Sequence, residues 1–237
     1  MKHICLSRSF LFFLLIIILT GNFNYFISYF SLLIIHEFGH AITGILLGYK
    51  LVKIDFYPLG GITIIDMPIN ISLGKEILIL IMGPIMQIIG YLLLKNTFPY
   101  IKLYHYTLLV FNLLPLYPLD GGRIINILFN YKFNYLNSFK ITYYISIITT
   151  IILFIYNIFV FNLNLFLMTI LLLIKFIKIY KNRYFYYHRL LLERYLYNYH
   201  FSKIKNIRNI DSLYRDKYHY INFIKEENYL KNYFKNK

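Results

Sequence analysis

The sequence predicts an all-α polytopic membrane protein with about six transmembrane helices, a re-entrant β-hairpin-like loop and a short basic cytoplasmic tail. Apolar residues make up 59% of the 237 residues and charged residues only 15%, whereas soluble domains carry about 25% charged residues. The one cysteine, Cys5, cannot form an internal disulfide, which excludes a disulfide-stapled secreted fold. A net charge of +15 is typical of proteins that bind nucleic acid or membranes. The high apolar fraction favours the membrane, so the lipid bilayer is the expected partner and no binding of nucleic acid is expected.

The membrane spans are predicted from apolar runs that can cross a hydrocarbon core of about 30 Å. The first covers roughly Ile4–Thr20 and is interpreted as a retained helix rather than a signal peptide, because a second apolar span follows it. A polar break at Gly21–Asn24 separates it from the second span, roughly Tyr25–Leu47. The other predicted spans are Ile77–Leu94, Leu103–Leu119, Ile141–Phe161 and Leu165–Tyr180.

The loops between these spans predict a hairpin and an orientation. Two β-rich runs, Val52–Phe56 and Ile62–Ile65, flank the turn signal Tyr57–Gly61. Across the short segments, eight Lys and Arg lie on the side of the N-terminus, and two, Lys95 and Lys102, lie on the other side. Since basic loops stay in the cytoplasm, both termini are expected there.

A metal-binding pattern, His36-Glu37-Phe38-Gly39-His40, lies in the cytoplasmic half of the second span. Helical positions i and i+4 share a face, so both imidazoles can reach one metal ion with Glu37 beside it. Random placement of these residues gives only about 0.004 H-E-x-x-H matches. Two imidazoles leave room for a third ligand and a water, the open arrangement of a catalytic zinc. Glu37 is then the candidate general base.

The third metal ligand is expected in the segment Asn112–Gly122. Two prolines three residues apart, Pro115 and Pro118, predict a broken helix, and the glycine pair after Asp120 predicts a sharp turn. Broken backbone at membrane depth is tolerated where it lines a water-filled cavity. Asp120 is therefore the candidate carboxylate ligand.

These motifs resemble the intramembrane site-2 metalloprotease family. The form N-x-x-P-x-x-P-L-D-G looks most like the stage IV sporulation protein FB branch, and Gly83-Pro84 is similar to the family's middle helix. The resemblance covers residues 1–180 as a six-span metalloprotease domain and implies one zinc ion held by His36, His40 and Asp120. It also implies residues that shape the broken helix and the substrate groove, namely Asn112, Pro115, Pro118, Gly121, Gly83 and Pro84.

The same resemblance implies a reaction and partners. The chain is expected to be a zinc-dependent endopeptidase of a bacterial cell membrane that cleaves a membrane-associated precursor near the cytoplasmic face. By resemblance the substrate is a sporulation sigma-factor precursor, and membrane inhibitor proteins and an oligomer are left open. The segment Leu51–Pro68 matches the family's re-entrant hairpin, which offers an edge to an extended substrate.

Residues 181–237 are predicted as a separate cytoplasmic tail, with thirteen Lys and Arg against five acidic residues. His188–Tyr195 and Leu213–Ile221 look like the linker and opening of a nucleotide-binding CBS domain. Too few residues follow for a paired CBS unit, so nucleotide binding is left open. The basic surplus favours contact with anionic headgroups.

The alternative is a metal-binding membrane transporter or a catalytically inactive scaffold, because transporters also place polar residues on broken helices. A transporter needs no general base beside its metal, and transporters often contain internal repeats. The presence of Glu37 and the lack of repeats in the sequence favour the protease. Gln87 is assigned no role. His105 is expected either to face the cavity or to lie at the headgroup boundary, and the boundary is favoured.

Overall fold

The computed structural model describes residues 4–57, 60–160, 163–197 and 199–235. They form two compact units, one built from Met1–Met67 with Ile77–Leu114 and the other from Pro68–Glu76 with Pro115–Lys237. Two residues of the predicted turn, 58 and 59, and the predicted end of the fifth span at Phe161 lie outside the described residues.

The first unit combines apolar helices with a small sheet. Its elements are β1 (Ile4–Leu6), α1 (Arg8–Thr20), α2 (Phe23–Leu46), β2 (Lys50–Tyr57), β3 (Gly60–Asp66), most of α3 (Leu73–Leu94), and α4 (Ile101–Leu113). The sheet order is β1-β2-β3, with β1 parallel to β2 and β2 antiparallel to β3. The predicted hairpin is thus confirmed, and β3 is an edge strand. The core packs side chains from the helices and the sheet together, including Phe10, Leu32, Leu33, Ile54, Phe56, Ile101 and Leu108.

The predicted first span was wrong at its beginning. Ile4–Leu6 is a strand paired with Ile54–Phe56, and the helix begins only at Arg8. The Ser7 hydroxyl accepts a hydrogen bond from the Phe10 N–H at 3.1 Å, which caps this helix. A short apolar run such as Ile4–Leu6 can form either a strand or the start of a helix. Its pairing with β2 explains why it is a strand here.

Among the described residues, three helices are long and apolar enough to cross a membrane: α2, α3 and α6 (Tyr135–Phe159). Helices α1 and α4 have 13 residues each, which gives about 20 Å of helix. The expectation of about six spans is therefore confirmed for three, and the other spans stay predictions.

The predicted break after α4 is confirmed. The helix ends at Leu113, and α5 (Asp120–Lys132), which the sequence reading missed, begins at Asp120. The sharp turn expected at the glycine pair was wrong, because both glycines are helical. A side chain at Gly122 would collide with the backbone of Leu116 and Tyr117. Close backbone approach, rather than turning, requires glycine there.

The second unit contains α5, α6, α7 (Leu163–Lys181) and a folded tail. The tail elements are α8 (Arg183–Leu196), β4 (Ile204–Ile207), β5 (Tyr218–Ile221), β6 (Ile224–Lys225) and α9 (Glu226–Lys235). Strand β5 lies between a parallel β4 and an antiparallel β6. The core of the tail also receives Tyr135 from the first turn of α6.

A buried ionic network joins the tail to the segment Pro68–Glu76. Arg194 donates hydrogen bonds to Glu226 at 2.9 Å and to Asn70 at 2.7 Å. Arg215 forms a 2.7 Å ion pair with Glu76, in the first turn of α3. The tail thus packs on the residues that lead into α3.

Candidate metal centre and catalytic site

Helix α2 brings the predicted motif to one buried face. His36, Glu37 and His40 are 2%, 6% and 7% exposed, and the Nε2 atoms of His36 and His40 lie 3.2 Å apart. The structure therefore places both imidazoles on one buried face, as the helical spacing predicts.

The hydrogen bond of His40 defines its tautomer. Its Nδ1 lies 2.8 Å from the Ile79 carbonyl oxygen of α3. Because a carbonyl oxygen only accepts, Nδ1 must carry the proton. In its neutral form the His40 ring therefore presents the lone pair of Nε2, the form in which histidine binds metals.

His36 reaches the same tautomer through a side chain. Its Nδ1 lies 3.1 Å from Oε1 of Gln87, while Nε2 of Gln87 donates to the His105 carbonyl oxygen at 3.0 Å. The His36 Nδ1 therefore donates, and its Nε2 carries a lone pair that receives a hydrogen bond from Asn112 Nδ2 at 3.3 Å. His105, expected at the headgroup boundary, is instead buried and stacks on Tyr91.

Two nitrogen lone pairs 3.2 Å apart fit a shared zinc ion. Zinc–nitrogen distances of 2.0–2.1 Å at a tetrahedral angle place two ligand nitrogens about 3.4 Å apart. Two acceptors this close repel each other, and a cation bound by both relieves the repulsion. The spacing and the tautomers of His36 and His40 thus suit the metal that the sequence predicts.

The hairpin holds Glu37 beside these imidazoles. The Thr63 hydroxyl on β3 donates to Glu37 Oε2 at 2.7 Å and lies 3.2 Å from the Glu37 carbonyl oxygen. A side chain at Gly61, also on β3, would collide with the Glu37 carboxylate. One carboxylate oxygen of Glu37 is therefore held by a hydrogen bond from β3.

Small residues let α2 and α3 approach closely. A side chain at Gly83 would collide with the His40 ring, and one at Gly39 with the Met82 carbonyl oxygen. Pro84 lies inside α3 directly after this contact. The predicted importance of Gly83 thus has a physical cause, since it leaves room for a histidine of the motif.

The remaining predicted residues lie together in the second unit. Asp120 is half-buried and is the first residue of α5, where the helix dipole favours a negative charge. Hydroxyl groups of α6 hold the broken segment before it. Ser146 accepts from the Tyr117 N–H at 3.1 Å, and Thr149 lies 3.5 Å from the Pro115 carbonyl oxygen. Pro118 follows a cis peptide bond, and Gly121 is buried in α5.

The comparisons with known proteins agree with these motifs. The chain matches the family model of peptidase family M50 over residues 91–156. It is 26% identical over 190 residues to stage IV sporulation protein FB of Bacillus subtilis, covering 75% of this chain and 66% of that protein. The resemblance to the site-2 protease family is confirmed.

Two proteins of Methanocaldococcus jannaschii extend this result. The chain is 30% identical over 155 residues to a zinc metalloprotease, covering 61% of this chain and 46% of that protein. A solved site-2 protease matches with a TM-score of 0.56 and 29% identity, covering 73% of this chain and 88% of that one. These matches support the predicted resemblance to site-2 type zinc metalloproteases. The chain spans less than two thirds of the length of both curated relatives.

The sequence does not identify several of these polar residues. It assigns no role to Gln87, and it does not single out Thr63 in the first unit or Ser146 and Thr149 in the second. Gln87 carries the clearest signal, because an amide inside an apolar span is costly unless it has partners. Its partners come from other helices, and one sequence does not identify them.

Proposed function

We propose that this chain is a zinc-dependent intramembrane endopeptidase that cleaves a membrane-associated precursor protein near the cytoplasmic face. The observation that carries the proposal is the arrangement on α2. His36 and His40 present their Nε2 lone pairs 3.2 Å apart, and Glu37 is held beside them by Thr63. Catalytic zinc sites use ligands of this kind, and in metalloproteases with the H-E-x-x-H pattern a glutamate beside them is the general base.

We propose Asp120 as the third ligand. Carboxylate oxygen completes sites with two histidines in metallopeptidases. Asp120 follows the broken segment that the family resemblance associates with the site, and hydroxyl groups from α6 support that segment. As the first residue of a helix, its carboxylate is favoured in the charged form that a metal needs.

Glu37 performs the proton transfers in this proposal. Zinc, when bound, acts as a Lewis acid that polarises a peptide carbonyl and makes a water molecule more acidic. Glu37 takes the proton of that water and later gives it to the leaving amine. The hydrogen bond from Thr63 holds one carboxylate oxygen, so that the rotation of the carboxylate is restricted while it works.

The hairpin is proposed to bind the substrate. Strand β3 is the edge of its sheet, and an edge strand can pair with an extended peptide through main-chain hydrogen bonds. It also carries Thr63, which contacts Glu37. A peptide paired along β3 would therefore lie beside the proposed base. By resemblance to the sporulation relative, the substrate is a sigma-factor precursor, with membrane inhibitor proteins as regulators.

Co-expression of the full chain with tagged candidate precursors tests this function. We expect a shortened product that disappears when zinc is chelated and when Glu37→Gln is introduced. Removal of the base should lower cleavage by about 10²–10⁴-fold, while the imidazoles still bind zinc. Glu227→Gln, which alters an exposed carboxylate on α9, is the matched control. An equal yield of product from Glu37→Gln would contradict the proposal.

A further inference from the structure

Gln87 occupies an unusual position in α3. Its side chain is 0% exposed, and the two ends of its amide form hydrogen bonds to two other helices, α2 and α4. Oε1 lies 3.1 Å from Nδ1 of His36 on α2, and Nε2 donates to the His105 carbonyl oxygen on α4 at 3.0 Å. A buried amide with partners at both ends is fixed in direction as well as in place.

The direction of this amide follows from chemistry. The His105 carbonyl oxygen can only accept, so the NH₂ end of Gln87 must face it. The oxygen end is then the one that faces His36. His105 is itself held by stacking on Tyr91, with ring centroids 4.2 Å apart. The acceptor presented to His36 is therefore set by groups that lie away from the metal site.

The two histidines of the motif differ in what fixes their tautomers. His40 donates to a backbone carbonyl, that of Ile79, and no substitution of a side chain can remove that acceptor. His36 donates to a side chain, that of Gln87. The metal-binding form of His36 thus depends on side chains, the acceptor Gln87 and the donor Asn112, so a substitution can change it.

We propose that Gln87 is a positioning residue that holds His36 in the tautomer protonated at Nδ1, so that Nε2 can bind the metal. The inference rests on the proposed metal site at His36 and His40. It assigns Gln87 no contact with the substrate or the metal. The role is that of the carboxylates and carbonyls that orient metal-binding histidines elsewhere.

Loss of this acceptor favours a competing state. A His36 ring protonated at Nε2 would point its proton at Nε2 of His40, 3.2 Å away. The resulting hydrogen bond between the two rings uses the lone pair of His40 and removes that of His36, which accepts from Asn112 in the structure. Metal binding would then have to break this bond and change the tautomer. Removing such orienting partners lowers metal affinity by about 10- to 100-fold.

Two substitutions separate this role from simple packing. Gln87→Met keeps the length and bulk of the side chain but has no strong acceptor for His36. Gln87→Glu keeps an oxygen toward His36 and, when protonated in this buried place, a donor toward the His105 carbonyl. A positioning role predicts that Glu is tolerated and Met is not. A packing role predicts the opposite order, because methionine fills a buried apolar space better than a carboxyl group does.

The experiment measures zinc affinity of the full-length protein in detergent by competition with a chelator. We expect Gln87→Met to weaken zinc binding by about 10- to 100-fold and Gln87→Glu to stay within about threefold of wild type. Zinc binding by Gln87→Met as tight as that of the wild type would overturn the inference, as would weaker binding by Gln87→Glu than by Gln87→Met.

Nitrogen-15 spectra of labelled histidines in the metal-free protein give a second readout that a structural defect would not produce. We expect His36 to be protonated at Nδ1 in the wild type and in Gln87→Glu, and at Nε2 in Gln87→Met. An Nδ1-protonated His36 in folded Gln87→Met would overturn the inference. Wild-type protein that binds zinc without cleaving any precursor would contradict the proposed protease and leave this assignment of Gln87 supported by its own measurements.

Discussion

Buried histidines and carboxylates occur in two regions of this molecule, and their partners differ. In α2, His36 and His40 each donate one ring proton to a neutral acceptor and direct the other nitrogen toward its counterpart. In the tail, His219 donates from Nδ1 to Glu226 and accepts at Nε2 from the Tyr214 N–H. The positive charge near Glu226 comes from Arg194, 2.9 Å away.

The two regions differ in their source of positive charge. The tail contains its own cation, Arg194, whereas the paired imidazoles of α2 suit a cation that is added. The guanidinium of Arg194 supplies charge and donors to Glu226, Asn70 and three backbone carbonyls. In α2 the imidazoles, when neutral, bring two lone pairs together, and an added cation stabilises that arrangement. The tail network thus serves folding, whereas the α2 arrangement suits binding of a metal.

The Gly83→Ala substitution tests the region around α2. The added methyl group would collide with the His40 ring, so α3 or the imidazole must move, and overpacking of this kind costs about 1–3 kcal/mol. We expect a loss of zinc affinity of tenfold or more and a matching loss of cleavage, measured by chelator competition and product yield. Gly74→Ala in the same helix, where an added Cβ meets nothing within 4 Å, is the control. Equal effects of the two substitutions would show that the close approach of α2 and α3 does not matter.

A second substitution tests the tail alone. Arg194→Met leaves the buried Glu226 without its guanidinium, and removal of one partner from a buried pair costs about 3–5 kcal/mol. We expect faster hydrogen exchange in β5 and unchanged zinc content. Arg189→Met, which removes a half-exposed partner of Glu193, should cost less than about 1 kcal/mol. Loss of zinc from folded Arg194→Met would mean that the two regions do not act independently.

We expect a low pH to reduce the stability of the folded tail, because of the ionisation of His219 and Glu226. Burial lowers the pKa of His219 from its ordinary 6.5, more than Glu226 raises it. Burial raises the pKa of Glu226, but hydrogen bonds and charges of His219 and Arg194 outweigh it and hold the pKa below the usual 4.5. In both cases the unfolded chain binds more protons than the folded chain, so stability falls as the pH falls.

The loss of stability that is due to His219 should begin below about pH 6.5. It should continue at lower pH as the carboxylate of Glu226 becomes protonated. Protonation of His219 at Nε2 also removes the acceptor of the Tyr214 N–H. We therefore expect the Tyr214 amide to exchange faster at pH 5.5 than at pH 7.5, after correction for the intrinsic rate. His188→Gln changes an exposed histidine of α8 and should leave this dependence intact. A pH-independent corrected rate would contradict the assignment.

The parts of the structure that were predictable from sequence depend on local geometry. His36 and His40 share a face because of helical periodicity, the hairpin follows from two β-rich runs around a turn, and the break before Asp120 follows from two prolines. The partners of these elements were not predictable. Gln87 lies 51 residues from His36, and Asn70 lies 124 residues from Arg194. Such partners are brought together by packing in three dimensions. Neither the periodicity nor the composition of the sequence contains information about them.

The most direct test of the metal site on α2 is the zinc content of purified full-length variants. We expect one zinc per chain in the wild type, almost none in His36→Ala, a reduced content in Asp120→Ala, and a partial loss in Asp120→Asn, which keeps the shape but not the charge. Asp66→Ala, at the exposed end of β3, should retain the wild-type content. Full zinc occupancy in His36→Ala would contradict the metal site on α2, and full occupancy in Asp120→Ala would contradict the third ligand.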